Sequence, residues 1–135
     1  MANLTWKRNY SVGVKALDTQ HTVLLEILND LSGVMTKGQA QSLTGSLLRN
    51  LVEYARNHFS AEEAILADAG YAGLDDHKDK HRDLIQQVEE YVAGFERGEN
   101  MLNLHLLHLL HDWFTSHILK VDQEYGSWLN EHGVR

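Results

Sequence analysis

Three observations predict an all-α chain folded as an up-down-up-down four-helix bundle with an extended N-terminal arm. Four segments carry apolar residues at helical spacing, the links between them are short, and no convincing β-strand pattern interrupts them. Helices joined by short links pack as antiparallel neighbours, each burying its apolar stripe against the others.

Residues 1–17 lack helical period and hold Trp6, Tyr10, Val12, Val14 and Leu17, the pattern of an arm packed on the body. Asp18 suits the N-cap of a first helix over residues 18–37, in which Leu24, Leu25, Leu28, Leu31 and Met35 share a face with His21 and Gly38 follows the end. Ser42 suits the cap of a second, over 42–69, whose stripe is Leu47, Leu51, Tyr54, His58, Glu62 and Ile65, closed by Gly70. Asp75 or Asp76 opens a third, over 75–97, with His77, His81, Leu84, Val88, Val92 and Phe95 inside and Gly98 beyond. The fourth, over 102–129, aligns Leu106, Leu110, Trp113, Phe114, His117, Val121 and Trp128.

The 135 residues, 43% of them hydrophobic, suffice for one domain spanning 1–135 with a proper core. Without cysteine there is no disulfide, thiolate ligand or cysteine nucleophile, so a bound metal must be held by nitrogen and oxygen. No signal-peptide-like or membrane-spanning apolar run is present, and the expected location is the cytoplasm. A formal charge of −7 with no basic stripe argues against nucleic acid or an anionic membrane as partner.

Within this frame His58 and Glu62, and His77 and His81, are i,i+4 pairs, so each pair returns to one helix face and aims two ligands at one point. Either pair alone is weak, because histidine and glutamate are common on helix surfaces. His21, His58 and His117 carry more weight: each replaces an apolar residue on a face that otherwise builds the core. Burying them unpaired would leave polar atoms uncompensated, and a metal removes that cost. His77 and His81 lie among Lys78, Asp79 and Lys80, yet their stripe continues inward to Leu84 and Val88. Asp122 is i+5 from His117, about 140° away on an ideal helix. It either serves a different metal from His117, is realigned by a local π-type widening, or is an exposed residue near Lys120. Glu63 should be solvated, and His105, His108, His111 and His132 are assigned to the surface or its margin.

Taken in order, Trp6, Tyr10-Ser-Val-Gly-Val14, Leu17-Asp-Thr-Gln-His21, His58-Phe-Ser-Ala-Glu62-Glu63, Gly70-Tyr71, His77-Lys-Asp-Lys-His81 and Asp112-Trp-Phe-Thr-Ser-His117-Ile-Leu-Lys-Val-Asp122 resemble a single-domain bacterial hemerythrin over nearly the whole chain. The resemblance implies two iron ions with a bridging oxo or hydroxo group and dioxygen as the ligand. It implies that His77, His81 and His117 hold one iron, His21 and His58 the other, and that Glu62 and Asp122 bridge them. Two octahedral irons so ligated keep one position open, on the iron of His21 and His58. Leu24, Leu25, Leu28, Phe59, Trp113 and Phe114 are the candidates for an apolar shell around the oxygen site. Two departures stand out: the family often has proline where Gly70–Leu74 runs, and usually leucine where Phe114 stands.

The implied function is reversible dioxygen binding for transport or storage, without catalysis; the acceptor of the oxygen is not specified. Sensing usually needs a fused output domain, which is not seen here. A di-iron oxidase, peroxidase or nitric-oxide enzyme of ferritin-like type would use Glu-x-x-His pairs, and none is found.

Overall fold

In a computed structural model of the chain, residues 5–37, 41–99, 101 and 103–135 are described. A short 3-10 turn, Arg8–Tyr10, leads through extended backbone into α1 (Lys15–Thr36), followed by α2 (Gln41–Ala69), α3 (Leu74–Glu96), α4 (Leu104–Ser116) and α5 (Asp122–Glu131). Between α4 and α5, His117–Val121 forms one wide π turn, closed by the Asp122 N–H donating to the His117 carbonyl five residues back. α4 and α5 thus make one interrupted rod, the fourth arm of the bundle. Helices α1 and α2, α2 and α3, α3 and α4, and α4 and α1 pack in a closed ring.

The helix starts differ from those expected. α1 begins at Lys15, so Asp18 lies inside its first turn and does not cap it. The Asp18 carboxylate accepts the Val12 N–H at 2.8 Å and the Ser11 hydroxyl at 2.5 Å, tethering the arm beside the helix N-terminus, where negative charge is favoured. Ser42 sits inside α2, and α3 begins at Leu74 after Gly73, with Asp75 and Asp76 in its first turn. α4 is capped by Asn103, whose side chain accepts the Leu106 N–H at 3.3 Å. The expected starting residue, Leu102, and Gly38 lie outside the described residues.

Two apolar cores fill the bundle. The larger joins Leu24, Leu28, Phe59, Leu84, Val88, Phe114 and Ile118; the smaller joins Val12, Val14, Leu17, Leu66, Tyr125 and Leu129. Every strand of the bundle carries the predicted ligands between residues of one core and residues of the other: His21 between Leu17 and Leu24, Glu62 between Phe59 and Leu66, His81 between Leu74 and Leu84, Asp122 between Ile118 and Tyr125. The polar residues therefore form a buried layer across the middle.

The arm seals one side. Gln123 Nε2 donates to the carbonyls of Asn9 and Ser11 at 3.2 and 2.9 Å, and Asn130 Nδ2 donates to that of Gly13 at 2.9 Å. Gly126 makes the approach possible, since a Cβ there would lie 2.4 Å from the Val12 carbonyl oxygen. Tyr10 packs edge-on against Phe114, ring centroids 6.4 Å apart. No described helix is long and apolar enough to cross a membrane.

Candidate metal centre

All seven predicted ligands are buried, with Glu62 and Asp122 at 0% exposure, although the surface offers ample room for charged groups. They converge in two groups that share a carboxylate. Ligand atoms of Glu62, His77, His81 and His117 lie within 4.8 Å of one another, as do those of His21, His58 and Glu62. Glu62 divides its oxygens between them: Oε1 meets Nε2 of His77 and of His81, the latter at 3.3 Å, while Oε2 lies 3.0 Å from His58 Nε2 and 3.4 Å from His21 Nε2. Asp122 does the same, with Oδ1 at 2.9 Å from His117 Nε2 and 3.3 Å from His77 Nε2, and Oδ2 at 3.3 Å from His21 Nε2.

The π turn is what brings Asp122 to this point. A regular helix would carry it well round from His117, whereas the i→i+5 turn returns it to the same interior. Of the alternatives the spacing left open, widening of the helix is the one observed. Asp122 faces both histidine groups and is not at the surface near Lys120.

The donor set fits a pair of metal ions. His81 Nε2 and His117 Nε2 face each other at 3.1 Å, a separation that adjacent ligands of one ion occupy naturally. His21 Nε2, Glu62 Oε2 and both Asp122 oxygens are buried without a hydrogen-bond partner of sound geometry, all at this one place. Imidazole and carboxylate donors suit iron, and the absence of thiolate removes the usual structural zinc set.

The electrostatics are those of a site built for cations. Burial disfavours charge on His21 and His77, yet the close carboxylates of Asp122 and Glu62 outweigh it and push both rings up to about 9. His58 and His117 are pushed down by burial, which their carboxylate partners do not overcome. Glu62 and Asp122 stay ionised against burial because the surrounding rings hold them below the ordinary carboxylate range.

Around the ligands lies a second set of contacts. Gln20 Oε1 accepts from His58 Nδ1 at 2.5 Å, and Glu63 Oε2 accepts from His81 Nδ1 at 2.9 Å. Glu63 is therefore not the solvated residue expected, and Gln20 was not singled out. Phe59 stacks flat on His81, centroids 3.7 Å apart and planes at 6°, and Trp113 stacks on His117 at 4.2 Å and 13°. Tyr125, also unforeseen, packs its ring against His77 at 5.2 Å; burial, then the charges of Asp122 and Glu62, push its fully buried hydroxyl well above its ordinary range. Its signal was available: it follows Asp122 by three residues, on the same face.

An apolar cavity of about 40 Å³ lies within the larger core, walled from the histidines by Phe59 and Trp113, which stack on His81 and His117. Leu24, Leu28, Phe59, Trp113 and Phe114 line it together with residues of α2 and α3; Leu25 is buried but does not line it. Trp113 is half-buried. Among the other histidines His105, His108 and His132 are exposed, whereas His111 is buried, contrary to its assignment to the margin. A helix in a closed ring touches neighbours on two flanks, so a residue about 120° from the central line is still covered.

Comparison with known proteins agrees with this architecture. A helical bundle with a central, histidine-rich site bridged by two carboxylates defines a class of metal-binding proteins, and residues 12–129 match the family model of the hemerythrin HHE cation binding domain. The chain belongs to the hemerythrin family. It is 33% identical over 132 residues to a bacteriohemerythrin of Stenotrophomonas maltophilia, covering 98% of this chain and 85% of that one. It is 30% identical over 131 residues to a bacteriohemerythrin of Methylococcus capsulatus, covering 96% and 99%. A crystal structure of wild-type hemerythrin superposes with a TM-score of 0.88 at 31% identity, covering 93% of this chain and 97% of the other. A leucine-to-phenylalanine mutant structure matches equally, at 0.88 and 32% identity, covering 94% and 97%.

Proposed function

We propose that the chain binds dioxygen reversibly at a pair of irons, as a carrier or store and not as a catalyst. The observation that carries this reading is the division of both Glu62 and Asp122 between two histidine groups of unequal size, three rings on one side and two on the other. His77, His81 and His117 would hold one iron, His21 and His58 the second, with Glu62, Asp122 and an oxo or hydroxo group between them. Such a pair supplies a two-electron exchange with dioxygen and one open coordination position, on the two-histidine side.

The protein's part is to hold, neutralise and exclude. Two buried carboxylates, ionised at neutral pH, offset metal charge, and the five rings must be neutral to ligate, so loading releases the protons that His21 and His77 otherwise keep. Leu24, Leu28, Phe59, Trp113 and Phe114 keep water from the site and leave an apolar space of a size suited to a small gas molecule. The preponderance of histidine over carboxylate favours binding over oxygen activation.

Protein produced with ample iron should carry two irons per chain and show a visible absorption band that forms in air and vanishes on deoxygenation. Glu62→Gln should lose most of that iron, since a neutral amide is a poor bridge. One zinc per chain with no colour change in air would overturn the reading.

A further inference from the structure

Each histidine group has one ring gripped from behind, and the two grips differ in charge. His58 Nδ1 faces the neutral amide oxygen of Gln20, whereas His81 Nδ1 faces the carboxylate of Glu63. Glu63 follows Glu62 directly on α2, about 100° further round. Glu62 thus meets His81 at Nε2 while Glu63 meets it at Nδ1, and Phe59 lies flat on the ring between them. The ring has no freedom to turn or change tautomer.

Glu63 is 23% exposed, in an open groove of about 230 Å³ shared with Arg56, Lys78 and Arg82. Those arginines are engaged elsewhere, Arg56 with Glu89 and Arg82 with Asp79, and among the described residues the ion-pair partner of Glu63 is His81 alone. Its charge is therefore directed at that ring. A carboxylate accepting the outer N–H of a ligating imidazole makes the inner nitrogen a stronger donor, which favours the higher oxidation state of the metal it binds; an amide does so far less.

Resting on the di-iron reading above, we propose that Glu63 is a positioning residue that fixes His81 and, through it, stabilises the ferric state of the three-histidine iron, making the two irons unequal in potential. Glu63→Gln keeps an acceptor for Nδ1 and removes only the charge. The iron-loaded variant should retain both irons and shift the lower of its two one-electron midpoints, that of the three-histidine iron, toward the ferrous state by about tenfold in equilibrium constant, or 59 mV. Gln20→Glu, which adds a carboxylate behind His58, should move the midpoint of the two-histidine iron toward the ferric state and bring the two midpoints closer together. Asp68→Asn, which removes an exposed charge from the same helix as Glu63 and leaves the arginines of its groove engaged, should move either midpoint little.

Spectroelectrochemical titration of the four iron-loaded proteins decides the matter. A fully loaded Glu63→Gln protein with the wild-type midpoint, or a shift no larger than that of Asp68→Asn, overturns the proposal. Loss of iron from Glu63→Gln also overturns it, because the charge would then serve assembly and not potential. Failure of the wild-type protein to bind two irons would instead defeat the underlying di-iron reading.

Discussion

Phe114 stands between the edge of Tyr10 and the cavity of the larger core, so one ring both closes the arm's contact and walls the apolar space. Phe114→Ala should destabilise the loaded protein by about 3–5 kcal/mol and admit water to the enlarged cavity. The air-formed band should then decay faster, whereas Phe114→Leu should keep the fold with a smaller loss and speed oxygen entry and release. Denaturant titration and stopped-flow absorbance check both, and equal decay rates for wild type and Phe114→Ala would show that Phe114 does not guard the site. At this scale the sequence marked the histidines and carboxylates that cluster more readily than the residues behind them. His58 with Glu62 and His77 with His81 announce themselves, because i,i+4 spacing is a property of one helix. Gln20, Glu63 and the buried flank of His111 depend on which neighbouring helix faces them, and no spacing within one segment encodes that.

The fourth rod shows what one turn of helix can decide. Inserting one alanine after Lys120, an exposed residue of the π turn, should carry the rod past what one wide turn absorbs and rotate Asp122 by about 100° out of the polar layer, whereas deleting Lys120 should restore regular helix with the aspartate four residues after His117 and still facing inward. Iron content per chain should fall in the insertion variant, while Lys120→Ala should leave it full; an insertion variant with unchanged iron would mean the turn is not what aims Asp122. Arm docking depends on an equally local feature. Gly126→Ala would drive a methyl group into the Val12 carbonyl, costing about 1–3 kcal/mol and exposing residues 5–14 to limited proteolysis, which wild type should resist. The four rods were legible because apolar period survives packing, but their starts were not. Asp18 has the right residue type for a cap, yet the arm engages its carboxylate first, and α1 extends back to Lys15.

Across the whole molecule, protonation and metal compete for the same rings. His21 and His77, pushed up from an ordinary 6.5 to about 9, favour the metal-free fold when protonated; that contribution is complete below 6.5 and is lost as pH rises through 9. His58 and His117, pushed down, act in the opposite sense and weaken the metal-free fold only as pH falls below 6.5. Metal-free protein should therefore lose stability from pH 6.5 to 9, whereas the iron-loaded form, which needs neutral rings, should not. Thermal midpoints of both forms over that range test this, and parallel declines would contradict it. The placement of the ligand layer between two separate apolar cores carries a further consequence, for cooperativity. Hydrophobic contact runs within each core, while the seven polar side chains span the seam, so in the metal-free molecule the two cores should open as distinguishable units on either side of a charged plane. Bound ions weld that plane, and the amides beside Leu17, Leu66 and Leu129 should exchange with solvent as a separate group when metal is absent and in concert with the rest of the chain when it is present.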